Sequence, residues 1–375
     1  MPPRVAILPP VPVPYREPLF ARLAERGRVS PRVIYLSGAQ PGWDMRADWF
    51  PDSHSYESEV LRAWQRPRAG RTPVTVPRGL GASLRAAAPD CVVSWEYGPA
   101  TLRALGWCAP RRRPLVIFSE LTPGSDAELS PPQLRLHRLV APRAAGFVVA
   151  SSQGVERLER MGVDRARVEV SLQAADLTAF RSAAMRREPS SAGPVRVLCV
   201  GRLVPDKNLG TLLEAFTLAG FAEGEAELAL CGEGPLEGEL RAQAARLGAS
   251  VRFLGFAGTE ELPAVYADAD VLGLVSTYEP FGVTMREGAA AGLPLVCTRT
   301  AGAAGDVAVD GENALLVDPH DRRAIADALR RLVREPDLRE RLAAGSRAVT
   351  ERHPLEADVE AWERAVLRAS AQKGR

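Results

Sequence analysis

Lysine is nearly missing from this chain. Of its 48 basic residues only Lys207 and Lys373 are lysines, a skew that reads as compositional bias and leaves Lys207 as the one lysine away from the tail. Long apolar runs are also missing. No stretch reaches the ~18 apolar residues that span a bilayer. Histidine is scarce: His54, His137, His320 and His353 are scattered, without metal-ligand spacing. The five cysteines are odd in number and show no CxxC pair, which argues against a disulfide framework. Cys91, Cys199, Cys231 and Cys297 lie in or beside short apolar runs and read as buried free thiols of a reducing compartment. There is no P-loop and no GxSxG elbow. The start, Met-Pro-Pro-Arg before a strand-like Val5–Leu8, is no signal peptide. The expectation is a cytoplasmic protein, able to lie peripherally at the inner membrane surface.

What is present is ordinary for a globular protein. Hydrophobic residues make up 46% and charged residues 25% of 375 residues, which excludes dominant disorder and predicts two domains. The net charge of +2 hides an asymmetry. Residues 1–190 carry 27 basic and 18 acidic side chains, whereas residues 191–375 carry 21 and 28. Arg111–Arg113, Arg135, Arg138 and Arg143 suit either anionic lipid headgroups or a solvated face. Nucleic acid is not expected, because no aromatic-basic platform accompanies the charge.

Short apolar runs alternate with helical patterns. Strands are predicted at Val5–Leu8, Pro31–Leu36, Cys91–Trp95, Pro114–Phe118, Phe147–Ala150 and Val168–Val170. A second set is predicted at Val195–Val200, Glu227–Cys231, Arg252–Leu254, Val271–Val275, Leu293–Cys297 and Ala314–Val317. Helical patterns lie between them, among them Glu17–Arg26, Leu80–Ala87, Asn208–Leu218 and Thr284–Ala291. Buried strands separated by helices mean parallel sheets, and two such sets mean an α/β protein of two doubly wound, Rossmann-like domains. The polar, Gly/Pro-ended stretch near 177–193 places the boundary, giving domains of 1–185 and 186–354. The helix expected at 355–375 carries Val359, Trp362, Val366 and Leu367 on one side and is expected to pack back on the first domain.

Three strand-to-helix loops in the second half carry chemistry. The first runs from Gly201 and Arg202 to Lys207 and Asn208. It sets two cations beside a helix start, which suits a diphosphate or reads as a basic surface loop. The second, Cys231-Gly232-Glu233-Gly234-Pro235, is a GxG that a tight turn explains equally well. Phe256, after the following strand, lies where backbone groups can meet a nucleobase. The third runs from Ser276 through Glu279, Phe281, Gly282, Val283 and Thr284 to Glu287. Gly282 lets the backbone approach a ligand, and the amides of Gly282–Thr284 offer an anion site. Glu279 and Glu287 are acceptors for hydroxyl groups, or a helix cap and a solvated residue.

Taken in order, Gly201-Arg202…Lys207-Asn208, Gly232-Glu-Gly-Pro235, Val251-Arg-Phe-Leu-Gly255, Ala267–Ser276 and Glu279–Glu287 resemble the nucleotide-sugar domain of the retaining family-four glycosyltransferases of GT-B fold. Ala291-Gly-Leu-Pro294 and Asp310-Gly-Glu-Asn313 are also similar. The resemblance implies a nucleotide diphosphate-sugar site, with UDP- or GDP-sugar as donor, in a crevice between the domains. It implies that Arg202 and Lys207 hold the diphosphate, Glu279 the donor sugar and Glu287 the ribose. The backbone about Phe281–Thr284 would bind the distal phosphate, and no metal is implied. One departure stands out: Asp306 lies where the family often has Glu, and it receives no role.

The first half resembles the family's acceptor domain more loosely. Tyr15 and Arg16 lie in the first strand-to-helix loop, where Arg16 can meet phosphate or acceptor. Where many members carry histidine, this chain has Ser119-Glu120. Glu120 is therefore a candidate acceptor or donor contact, or a base, with a plain loop carboxylate as the alternative. Asp268-Ala-Asp270 has the form of a metal-binding DxD but reads as scaffold. Trp43, Trp49 and Trp64 could line an acceptor site or pack on the core. The function expected is retaining, metal-independent transfer of a sugar to an acceptor hydroxyl of a glycan, lipid-linked sugar or small metabolite. The alternatives are a sugar-nucleotide epimerase or hydrolase of the same fold and a non-catalytic sugar-nucleotide binding module.

Overall fold

The computed structural model describes residues 1–39, 54–68, 71–185 and 193–371. Trp43, Trp49 and Lys373 lie outside them. The chain forms two compact units, Met1–Asp176 with Leu355–Arg375, and Leu177–Pro354.

The first unit holds β1 (Arg4–Leu8), β2 (Ser30–Tyr35), β3 (Glu57–Val60), β4 (Ala63–Arg68), β5 (Arg71–Pro77), β6 (Cys91–Trp95), β7 (Leu115–Ser119), β8 (Gly146–Val149) and β9 (Val168–Val170). Its main sheet is parallel, in the order β3-β2-β1-β6-β7-β8-β9. Both faces are covered, so the central strands are buried throughout and mostly apolar rather than alternating. On one face Leu8, Val92, Ile117 and Phe147 pack with Leu84, Ala104, Val140 and Leu158 of the helices Leu80–Ala87, Pro99–Cys108, Pro131–Val140 and Ser152–Arg160. On the other, alternate residues Trp95 and Phe118 stack against Trp362 at 5.7 and 5.5 Å between ring centroids. Trp362 belongs to the helix Leu355–Ala371, and Phe20 of the helix Glu17–Arg26 meets it edge-on. Glu363 of the same helix is fully buried beneath Arg26 and Arg28, at 3.1 Å from each.

The second unit holds β10 (Val195–Val200), β11 (Ala226–Cys231), β12 (Val251–Gly255), β13 (Val271–Leu274), β14 (Leu295–Thr298) and β15 (Ala314–Val317). They form a parallel sheet in the order β12-β11-β10-β13-β14-β15. Val197, Leu228, Val271 and Val296 pack on one side with Leu212, Leu240, Ile325 and Leu329.

The structure departs from the sequence expectation in three places. β3 is an unforeseen edge strand, and β4 and β5 form an antiparallel hairpin; the Glu-Ser-Glu-Val stretch of β3 has no buried residue and so no apolar signal. Trp64 of β4 is largely exposed rather than packed on a core. The division between the units falls at Asp176/Leu177 rather than at 185/186. The reason is the helix Thr178–Met185, which packs on the helices Leu262–Ala267 and Val283–Ala290 with Phe180 edge-on to Tyr266 at 5.3 Å.

Candidate active site

In each sheet one strand is flanked by neighbours whose connections run in opposite directions. This is the switch point, and its crevice lies beyond the carboxyl ends of the strands. In the second unit it lies between β10 and β13. The loop after β10 ends in a short 3-10 turn, Pro205–Lys207, and Asn208 takes a left-handed φ of 55° before the next helix. The Asn208 amide donates to the carbonyls of Val275 at 3.1 Å and Pro319 at 2.8 Å. That one side chain ties the loop to the ends of β13 and β15. The Thr277 amide closes the other side by donating to the Asp206 carbonyl at 2.9 Å.

The Lys207 ammonium forms an ion pair with the Glu279 carboxylate across this point. Their side chains are only 18% and 11% exposed, so the pair is held partly out of water, where its charges are weakly screened. Ser276 Oγ also donates to Glu279, at 3.4 Å. The Glu279 backbone carbonyl accepts the Gly302 amide at 3.0 Å, and a Cβ on Gly302 would overlap the Pro280 carbonyl. The loop is thus clamped from the β14 side as well.

The helix Val283–Ala290 starts at Gly282, whose φ of 98° is left-handed. Its first-turn amides lack helical acceptors. Thr284 Oγ1 is buried there without a hydrogen-bond partner among the described residues. Glu287, farther along the helix, accepts a hydrogen bond from the Tyr266 hydroxyl at 2.6 Å. Tyr266 is fully buried. Burial raises the Glu287 carboxyl to about 7, and the tyrosine hydrogen bond acts against that rise.

The sequence-predicted glycines turn out to be points of close approach. A Cβ on Gly232 would lie 2.0 Å from the Gly201 carbonyl, and one on Gly234 2.5 Å from that of Leu203. The loops after β10 and β11 therefore run in contact, with Leu203 N donating to Glu233 O at 2.9 Å. Arg202 is exposed on the first of these loops, and Phe256 is half-buried just after β12. Asp268 and Asp270 sit apart from this site. Asp268 pairs with the Arg196 guanidinium, and Asp270 accepts the Arg196 amide at 2.8 Å. They brace the strand ends opposite the crevice.

The first unit builds a second cluster at its own switch point, between β1 and β6. Arg16 follows β1 and Glu120 follows β7, and their side chains pair at 2.6 Å. The Arg16 guanidinium lies 4.7 Å from the Trp95 ring centroid and 5.1 Å from that of Tyr15. Beneath the pair is Glu96, which directly follows β6 and holds a left-handed φ of 51°. Glu96 accepts the Glu120 amide at 2.6 Å and the Ser119 hydroxyl at 2.8 Å. Burial raises its carboxyl to about 7, with the nearby Glu120 charge adding to the rise. Sequence reasoning passed over Glu96 and Tyr266. Glu96 was findable, because it ends a buried strand on the same edge as Glu120. Nothing local marked Tyr266.

Comparison with known proteins fits this architecture. The chain matches the Glycosyl transferase 4-like domain over residues 10–171 and the Glycosyl transferases group 1 domain over residues 180–349. Its fold is similar to that of Anabaena Alr3699/HepE in complex with UDP and glucose, with a TM-score of 0.75, 20% identity and coverage of 96% of this chain and 99% of that one. It is also similar to sucrose-phosphate synthase from Thermosynechococcus elongatus, with a TM-score of 0.73, 19% identity and 96% of each chain covered. The two Rossmann-like units are those of the GT-B glycosyltransferase fold. The chain thus carries a glycosyl transferase 4-like domain followed by a glycosyl transferases group 1 domain. Curated relatives include glycogen synthase of Mycobacterium tuberculosis, 32% identical over 53% of this chain and 47% of that protein. Another is D-inositol 3-phosphate glycosyltransferase of Corynebacterium jeikeium, 40% identical over 37% and 35%. The chain thus spans about half the length of the curated relatives it matches, or less.

Proposed function

We propose that this protein transfers a glycosyl group from a nucleoside diphosphate-sugar, UDP- or GDP-linked, to an acceptor hydroxyl, with retention at the anomeric carbon and without a metal ion. The observation that carries the reading is the Lys207–Glu279 pair at the switch point of the second sheet. A cation and a hydroxyl-accepting carboxylate side by side suit a sugar diphosphate. Lys207 and Arg202 offset the charge that grows on the leaving diphosphate, in the role a metal would otherwise take. The amides of Gly282–Thr284 and the unpartnered Thr284 hydroxyl receive the distal phosphate. Glu279 accepts from sugar hydroxyls and Glu287 from the ribose, while Gly232, Gly234 and Phe256 border the nucleotide. The first unit supplies the acceptor side through Tyr15, Arg16 and Glu120.

The protein acts in the cytoplasm and touches an anionic membrane surface. Arg135, Arg138, Leu139 and Arg143 are all exposed on and just after one helix, which supports that contact. No helix among the described residues is long and apolar enough to cross a membrane. Cosedimentation with anionic but not neutral vesicles, lost when the three arginines become glutamine, is the expected result.

The central test is a melting-temperature panel of UDP, GDP, ADP and dTDP, followed by mass spectrometry with the matching sugars and NMR of the product's anomeric proton. Stabilisation by UDP or GDP, transfer that survives EDTA and a retained configuration are expected. Absence of any shift at millimolar nucleotide overturns the donor site.

A further inference from the structure

We propose that the Arg16–Glu120 pair, seated on Glu96 at the switch point of the first sheet, selects an uncharged, hydroxyl-bearing portion of the acceptor and rejects a phosphate ester there. This deepens the acceptor side of the reading above and rests on it.

Arginine near a crevice ordinarily signals an anion, and sequence alone left phosphate open for Arg16. The geometry removes that role. The Arg16 side chain is 8% exposed and its NH2 group is already given to Glu120 at 2.6 Å. Its guanidinium lies over Trp95, and Nε, which has no acceptor among the described residues, is buried away from an incoming anion. An incoming phosphate would have to displace Glu120 and leave a carboxylate beside it. Breaking such a pair is costly, because one charge is stranded in a poorly hydrated site.

The backbone that carries Glu120 is held in place. Its backbone amide is held by Glu96, which also holds Ser119, and the Ser119 hydroxyl in turn accepts the Leu121 amide at 3.2 Å. Glu96 is itself fixed from behind, with Thr101 Oγ1 donating to its carbonyl at 2.8 Å. Non-glycine residues hold a left-handed backbone only where the surroundings enforce it, and such positions gather at functional sites.

The charges nearby do not favour an anion either. Arg16 is matched by Glu120. Arg157, the other buried cation, is matched by Asp126 at 2.7 Å. His137 beside it is kept neutral, because burial and Arg157 lower its pKa to about 4. With Glu96 added, the cluster is neutral or negative. The Glu120 carboxylate, whose Oε2 bonds to no described residue, suits an alcohol as its donor partner, and the half-buried ring of Tyr15 beside it suits the apolar face of a sugar. Glu96 acts as a positioning residue, through Glu120.

The test uses the full chain, with nucleotide release measured for glycerol, myo-inositol and methyl α-D-glucoside against glycerol 3-phosphate, inositol 1-phosphate and glucose 6-phosphate. At least one uncharged alcohol is expected to outrun its phosphate ester by about 100-fold in kcat/KM. Glu120→Gln, which frees Arg16, is expected to narrow or invert that ratio, while Glu120→Asp keeps its sign. Glu96→Gln is expected to raise the acceptor KM about tenfold and leave the donor KM unchanged, a split that simple loss of folding does not produce. Phosphate esters equal to or better than their parents, or no acceleration by any of the alcohols, overturns the proposal. The nucleotide melting shift reports on the donor site independently, so failure there is distinguished from failure here.

Discussion

Lys207 and Glu279 close on each other across the switch point of the second sheet. Each comes from a loop that is stitched to the other by Asn208 and Thr277, so the pair is preorganised before any ligand arrives. Lys207 is also the single internal lysine of the chain. Lys207→Ala is expected to lower kcat by about 100- to 1000-fold, the scale of losing one charge-stabilising donor. The melting temperature should stay within a few degrees. Full turnover in that variant would remove Lys207 from the mechanism.

Glu287 gives a pH signature. Its carboxyl is raised to about 7 in the folded protein, and that of Glu96 likewise. An unfolded glutamate titrates near 4.3. Between these values the folded state holds protons that the unfolded state has lost, so stability falls as pH rises through that window. Denaturant midpoints measured from pH 4.5 to 7.5 should decline. Glu287→Gln should flatten part of the slope, and an unchanged slope would contradict the buried, protonatable state.

Tyr266→Phe removes the hydroxyl that bonds Glu287. The carboxyl should then titrate still higher and lose its fixed orientation. Nucleotide affinity at pH 7 is expected to fall about tenfold, the cost of losing one hydrogen bond to a charged partner, and to recover partly at pH 8.5. Calorimetric titration with the nucleotide at both pH values decides this.

Gly232→Ala tests the close approach of the loops. The added Cβ would lie 2.0 Å from the Gly201 carbonyl, and φ is 139°. Both loops must shift, at a cost of about 2–4 kcal/mol. A drop in melting temperature of roughly 4–16 °C is expected at ~2–4 °C per kcal/mol, together with weaker nucleotide binding.

Much of this architecture was legible because buried parallel strands leave a strong mark. Val195–Val200 and Cys91–Trp95 carry apolar residues on both faces, and their predicted bounds match the structure. Where one face meets solvent the mark fades, as in β3, whose residues are all at least partly exposed. The second unit's loops were legible through their charged residues and glycines. What the sequence hid is tertiary. Nothing local says that Glu279 turns to Lys207, that Arg16 is spent on Glu120, or that a tyrosine from another helix reaches Glu287. The point of division at the start of the 177–193 stretch was hidden for a similar reason. The helix Thr178–Met185 looks like part of a linker until Phe180 is seen against Tyr266.

Trp362 connects the two ends of the chain. It stacks on Phe118 and lies against Trp95 and Phe20. Trp362→Ala should cost about 3–5 kcal/mol, read as a lower urea midpoint.

The helix that carries Trp362 also orders events during synthesis. The first sheet is made first, yet the aromatic side of Trp95 and Phe118 is covered by the helix Leu355–Ala371. Residues 355–371 must therefore be synthesised before that face is closed. The second unit, contiguous from Leu177 to Pro354, can mature while its predecessor waits with a bare apolar wall. The unit whose strands are made before those of the second is thus closed after them.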